Sequence, residues 1–85
     1  MIPTIIRIHG SSSEITFECE DIRVKANGEF FAENGEIGGF TVSKASLKYE
    51  NGKRLTADEQ EELICQYEKY MSRPHIQKNW FITFA

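Results

Sequence analysis

Residues 14–28 read EITFECEDIRVKANG, and they decide the fold because apolar and polar side chains alternate on both sides of a short acidic turn. A tight turn at Glu20-Asp21 would pair Phe17 with Val24, which keeps the apolar faces of both strands together. The same register sets Glu18 opposite Arg23, a favourable cross-strand pair. The stretch therefore predicts an antiparallel hairpin with one buried face and one solvated face.

Three Asn-Gly pairs extend this pattern along the chain, at Asn27-Gly28, Asn34-Gly35 and Asn51-Gly52. The dipeptide tolerates the positive φ angles of a type I′ turn, so each pair predicts a two-residue hairpin. Gly38-Gly39 predicts a break or bulge in the strand that leads to Phe40. With a first strand at residues 4–8, the first two thirds of the chain are predicted to form an antiparallel meander.

A single helix follows the meander. Thr56 and Glu59 form a predicted capping box, and apolar residues at helical spacing continue to Met71. Arg73 precedes Pro74 and ends the helix. The chain closes with a strand at residues 79–84. We therefore predict one α+β domain, residues 1–85, with a curved antiparallel sheet of about six strands packed on one α-helix and followed by a C-terminal strand.

The closing strand leaves one aromatic residue with two possible roles. Trp80, Ile82 and Phe84 are predicted to point inward under the helix, so Phe81 points the other way. Either the sheet is covered on both sides at that point, or Phe81 is exposed and available to a partner. The sequence favours the covered arrangement and leaves both open.

Charge is segregated along the chain, although the net charge is only −3 over 85 residues. Residues 14–36 carry seven acids and two bases, a net charge of −5, whereas residues 44–54 carry a net charge of +3. An acidic surface repels phosphate backbones and attracts basic partners, which argues against a nucleic-acid ligand and for a cationic protein surface. The alternative is that each charge run is simply a solvated face.

No residue pattern predicts catalysis, a cofactor site or a metal site. The two histidines, His9 and His75, lie far apart, and no cysteine pair has metal-ligand spacing. Cys19 is predicted to be buried among acids, and Cys65 is predicted to lie among glutamates on the outward face of the helix, so neither thiol favours the thiolate form. We expect a non-enzymatic protein without a disulfide.

The N-terminal residues lack the basic head, the apolar run and the cleavage site of a signal peptide, and no apolar run is long enough to span a bilayer. We therefore expect a cytoplasmic protein with no membrane association. The sequence does not indicate the strand order or the oligomeric state.

Four segments follow one another in the second part of the chain: residues 22–29 (IRVKANGE), residues 39–42 (GFTV) with Ser43, Ser46 and Leu47, residues 55–59 (LTADE), and residues 80–84 (WFITF). In this order they resemble the small immunity proteins of bacterial polymorphic toxin and contact-dependent growth inhibition systems, in particular the family called immunity protein seventy-four. The similarity covers about residues 15–85, with a tyrosine, Tyr49, where the family is expected to carry a tryptophan.

This resemblance implies a cytoplasmic antidote that binds the effector domain of a cognate secreted toxin, for instance a nuclease, and covers its active site. The resemblance assigns no contact residue. Because a toxin that acts on nucleic acid carries a basic cleft, we expect the acid-rich strand face and turns to bind it. The predicted toxin-binding residues are Glu14, Glu18, Glu20, Asp21, Glu33 and Glu36.

Two other classes of function remain open. A small adaptor or regulatory domain would bind a peptide at a sheet edge, with Phe81 as an exposed contact. An enzyme or an enzyme subunit would need a pocket where carboxylates with shifted pKa values converge. Binding that survives high salt would favour the adaptor, whereas an association rate that falls with ionic strength would favour the antidote.

Overall fold

A computed structural model describes residues 2–10, 13–33, 37–74 and 80–85, and it confirms the α+β class. A short 3-10 helix covers Lys44–Ser46, and one α-helix, α1, covers Ala57–Met71. The strands are β1 (Ile5–Gly10), β2 (Glu14–Cys19), β3 (Arg23–Glu33), β4 (Ile37–Val42), β5 (Lys48–Tyr49) and β6 (Trp80–Phe84).

The six strands form one sheet in the order β1-β2-β3-β4-β6, and β5 pairs with β3 beside this path. Strands β1 to β4 are successive antiparallel neighbours, and the predicted register of β2 and β3 is confirmed, with Phe17 opposite Val24 and Glu18 opposite Arg23. Strand β6 pairs with β4 in parallel, so the complete sheet is mixed. The parallel pair is possible because α1 lies between the two strands in sequence.

The predicted turn at Asn27-Gly28 is wrong. Strand β3 runs through both residues without interruption, and Gly28 pairs with Val42 of β4. A Cβ atom on Gly28 would lie 2.0 Å from the backbone oxygen of Thr41, so this glycine permits a close approach of two strands. A contact distant in sequence has overridden the local turn preference.

The other two Asn-Gly pairs have different outcomes. Asn34-Gly35 lies outside the described residues, although the pairing of β3 with β4 is antiparallel on both sides of it. The hairpin at Asn51-Gly52 is confirmed, but its loop has three residues: the Tyr49 carbonyl accepts from Gly52 N–H, and the Tyr49 N–H donates to the Lys53 carbonyl. Gly52 has φ of 90°, as the closing glycine of such a loop requires.

Strands β4 and β5 lie end to end on the same edge of β3. Val42 pairs with Gly28, the chain leaves the sheet through the 3-10 helix, and Lys48 rejoins β3 opposite Lys25. The Ser46 hydroxyl group fills the gap by accepting from the Asn27 N–H. The predicted break at Gly38-Gly39 is wrong, because both glycines keep a regular register with β3 and β6.

The sheet is strongly curled, and the core lies on its concave side. Strands β2 and β6 are three strand positions apart, which in a flat sheet would separate them by roughly 14 Å. The rings of Phe17 and Phe84 are nevertheless stacked with their centroids 6.1 Å apart. The largest fully buried side chains are Phe17, Ile2, Ile5, Ile15, Leu47, Leu63, Val24 and Val42.

Helix α1 crosses the opening between the two edge strands. Its N-terminus carries the predicted capping box, in which Thr56 and Glu59 exchange side-chain and backbone hydrogen bonds. The Ile2 N–H, just before β1, donates to Glu62 at 2.8 Å. The Ile82 N–H of β6 donates to the buried Tyr67 hydroxyl at 2.9 Å. The helix therefore satisfies one backbone donor in the segment that leads into β1 and one on β6, the two edge strands of the curled sheet.

Candidate protein-binding surface

The outer, convex face of the sheet carries a row of alternating charges, here called the paired row: Arg7, Glu18, Arg23 and Glu50. Arg7 lies opposite Glu18, and Glu18 lies opposite Arg23. Arg7 Nε lies 2.6 Å from Glu18 Oε2, and Arg23 Nε lies 3.4 Å from Glu18 Oε1. Arg23 also reaches Glu50 Oε1 at 3.7 Å through a terminal guanidinium nitrogen. Each charge in the row thus neutralises its neighbours.

Glu18 is the centre of the paired row. The hydrogen bond from Arg7 holds the pKa of the Glu18 carboxyl below its usual range, and the positive charge of Arg23 acts in the same direction. Its side chain is only 18% exposed. A carboxylate already bound to two guanidinium groups has little left to offer a partner, so Glu18 fits its predicted role in toxin binding poorly.

A second cluster, here called the turn surface, surrounds the connection between β2 and β3: Ile6, Glu20, Asp21, Ile22 and Glu50. These residues line an open depression with a volume of about 360 Å³. Glu20 and Asp21 are exposed, and neither forms an ion pair with any base whose side chain is described. Their carboxylates therefore face solvent uncompensated.

Ile6 supplies the apolar contact of the turn surface. The register of β1 against β2 shifts between Ile5 and Arg7, so Ile6 is the extra residue of a β-bulge. Its side chain is 56% exposed, whereas Ile5 is fully buried. The bulge thus turns a large apolar side chain outward beside the exposed carboxylates of Glu20 and Asp21.

The structure brings together only part of the predicted toxin-binding set. Glu18, Glu20 and Asp21 all line the depression. Glu14 lies at the opposite end of β2, opposite Asn27 and about 13 Å from Glu18 along the strand. Glu33 ends β3 with a side chain that is not described, and Glu36 lies outside the described residues.

Sequence reasoning missed Ile6 and Glu50 as members of this surface. A signal for the bulge was present, because Ile5 and Ile8 are both inward candidates but lie three residues apart, an odd spacing for a regular strand. Glu50 offered no such signal, since its approach to Arg23 depends on the pairing of β5 with β3.

Neither thiol has the setting of a nucleophile. Cys19 is buried in the core, and burial raises the pKa of its thiol to about 11. Cys65 is exposed on α1, and both cysteines are free. Among the described residues, no group of three or more His, Cys, Asp or Glu side chains could hold a metal ion.

Phe81 lies on the outer face of β6 and is 47% exposed, so the structure selects the exposed alternative over the covered one. Phe81 of β6 pairs with Gly39 of β4, and Gly39 pairs with Phe31 of β3. The free edge of β6 is partly occupied, because Tyr67 already accepts the Ile82 N–H there.

Comparison with known proteins gives no relative: no protein-family model matches the chain, and no curated protein or solved structure is significantly similar to it. Within the described ranges, no helix combines the length and the apolar character needed to cross a membrane.

Proposed function

We propose that this protein is an immunity-type inhibitor that binds a cognate secreted toxin domain and covers its active site without catalysing a reaction itself. The partner would be a protein with a basic surface, as in a nuclease, and the encounter would take place in the cytoplasm. The observation that carries the proposal is the turn surface, where an exposed isoleucine lies beside uncompensated carboxylates.

The chemistry of the turn surface suits a basic protein partner. A protein interface draws its affinity from a few desolvated apolar or aromatic anchors surrounded by polar groups, and Ile6 and Ile22 can serve as such anchors. The carboxylates of Glu20 and Asp21 would attract a cationic cleft and accelerate association. The paired row next to them is internally neutralised, so it adds little net charge to this end of the sheet.

The sharpest experiment first looks next to this gene for a reading frame that encodes a secreted protein, and then uses the terminal domain of that protein. Co-expression with the native chain should rescue cells from that domain, and the double variant Glu20→Lys/Asp21→Lys should fail to rescue. Glu61→Lys combined with Glu68→Lys makes the same charge change on the exposed face of α1 and should still rescue. Failure of the native chain to bind or neutralise the domain would refute the proposal.

A second candidate function, a non-catalytic adaptor, is favoured by the exposed ring of Phe81. An adaptor would use this ring and its neighbouring strand as an apolar contact for a peptide. Its binding would survive high salt and would be lost in Phe81→Ala, whereas the inhibitor should associate more slowly as ionic strength rises and should tolerate this substitution.

A further inference from the structure

Three bases stand side by side on the outer face of the sheet, in what is here called the basic row: Lys25, Lys48 and Arg54. Lys25 of β3 lies directly opposite Lys48 of β5, and Lys48 lies directly opposite Arg54. Arg54 alternates with the buried Leu55, and Lys48 with the buried Leu47, so both bases are outward and exposed. The row continues across β2 and β1 to Thr16 and His9 without an acid.

No ion pair compensates the basic row within the described part of the chain. The carboxylates beside the row are only diagonal neighbours of Lys25: Glu14 and Glu18 on β2, and Glu50 two residues after Lys48. Glu18 and Glu50 already pair with arginines. Like charges directly opposite each other in a sheet are destabilising. The repulsion among the three bases of the basic row therefore lowers the stability of the folded protein.

We infer that the basic row is a second interaction surface, which binds an acidic segment of a protein partner. Neighbouring strands place the three cations about 4.8 Å apart, over roughly 10 Å in total. Carboxylates that follow one another along an extended or turning segment can reach all three cations, because the lysine stems are long and flexible. Such a partner would remove the repulsion that the isolated protein carries.

A protein segment fits the row better than a nucleic acid does. Nucleic-acid surfaces combine many phosphate contacts with aromatic platforms for the bases. Tyr49, the aromatic residue next to Lys48, faces the opposite way and donates to Glu59, while the exposed Phe81 lies on β6 at the far edge of the sheet. Three cations on a chain with a net charge of −3 attract a polyphosphate only weakly.

The inference can be tested without the toxin, so its failure is distinguishable from failure of the proposed function. The isotope-labelled protein is titrated at low ionic strength with a hexaglutamate peptide and, separately, with a ten-residue oligothymidylate. The expected result is a set of saturable amide shifts at Lys25, Lys48 and Arg54 with the peptide, and weaker shifts with the oligonucleotide.

Two charge reversals with the same change in net charge separate the row from general electrostatics. Lys48→Glu should weaken peptide binding by roughly tenfold, and it should raise Tm because it places an acid between two bases. Lys69→Glu, on α1, should do neither. Lys48→Gln should weaken binding to an intermediate extent and keeps the test valid if the reversal misfolds.

Three results would overturn the inference. The first is an equal loss of peptide binding in Lys48→Glu and Lys69→Glu, which would show attraction to net charge alone. The second is tighter binding of the oligonucleotide than of the peptide at the row. The third is a lower Tm for Lys48→Glu, which would show that the three bases are compensated within the native fold.

Discussion

The outer face of the sheet carries two neighbouring rows of charge that are built in opposite ways. In the paired row, the sign of the charge changes at each strand, and Arg7, Glu18, Arg23 and Glu50 are joined by ion pairs. One register step away, the basic row places Lys25, Lys48 and Arg54 directly opposite one another without an acid between them. Both rows cross the same strand, β3, so backbone geometry does not explain the difference.

The comparison distinguishes charges that stabilise the sheet, in the paired row, from charges that remain available to a binding partner, in the basic row. Alternating signs supply favourable cross-strand pairs and leave little unsatisfied charge. Like signs supply no stabilisation and leave the full charge to a partner. The turn surface follows the second pattern with opposite sign, since neither Glu20 nor Asp21 forms an ion pair with a base in the described part of the chain. The outer face thus presents an acidic region and a basic region, and the neutralised paired row lies between them.

The largest expected loss of stability comes from disrupting β3, the strand that both rows share. Gly28→Ala would place a Cβ atom against the Thr41 backbone oxygen, so the sheet must open, and we expect a loss of roughly 3 kcal/mol in the free energy of unfolding. Gly52→Ala should cost only about 1 kcal/mol, because its site is open and only its positive φ is unfavourable. Urea unfolding measures both, and equal losses would contradict a close strand contact at Gly28.

A change on the concave side should lower stability without touching either row. Tyr67→Phe removes the hydroxyl group that accepts the Ile82 N–H and leaves a buried donor unsatisfied, at a cost of about 1–3 kcal/mol. Thermal and urea unfolding should show this loss, while peptide binding by the basic row stays unchanged. Tyr70→Phe is the matched control on α1 and should be nearly neutral. A change in peptide binding in Tyr67→Phe would mean that the two faces of the sheet are coupled.

A single charge reversal in each row would give that row the charge pattern of the other. Arg23→Glu puts a third carboxylate between Glu18 and Glu50, so Tm should fall by a few degrees. Lys48→Glu gives the basic row alternating signs, so Tm should rise by a smaller amount. Both shifts should shrink in high salt, which screens exposed charges. Shifts of the same sign in the two variants would refute the distinction between the rows.

The smallest expected effect is a difference between variants of the two rows in how Tm depends on pH. The folded-state pKa of Glu18 lies below its ordinary value of 4.5, so its contribution is fully present above that pH and is lost as the pH falls through the folded-state pKa. Glu18→Gln should therefore lower Tm at pH 7 and converge with the native protein in strong acid. Lys48→Gln should leave the slope of Tm against pH unchanged below pH 4.5. A constant gap between Glu18→Gln and the native protein at all pH values would count against the ion pairs.

The sequence was sufficient for features that local pattern determines. The register of β2 against β3 follows from alternation and from the opposite charges of Glu18 and Arg23, and both were confirmed. The start of α1 follows from the capping box at Thr56, which depends on two residues three positions apart. In both cases the chemistry that selects the structure is contained in a short segment.

Features that depend on distant contacts were not predictable in this way. The Asn27-Gly28 pair has strong turn preference, but a contact with Thr41 keeps it inside a strand. The basic row appears only when β5 rejoins β3 after the 3-10 helix, a skip that no local pattern encodes. The turn surface was predicted in part, through Glu20 and Asp21, and its apolar member was hidden in a bulge.

The curl of the sheet has a consequence for how such a protein can diversify. Because the large buried side chains lie on the concave side, the outward positions of β2, β3 and β5 have no part in filling the interior. Lysine and glutamate could be exchanged at those positions over generations with no repacking. A lineage could then change the partner it recognises in single substitutions while its architecture stays the same.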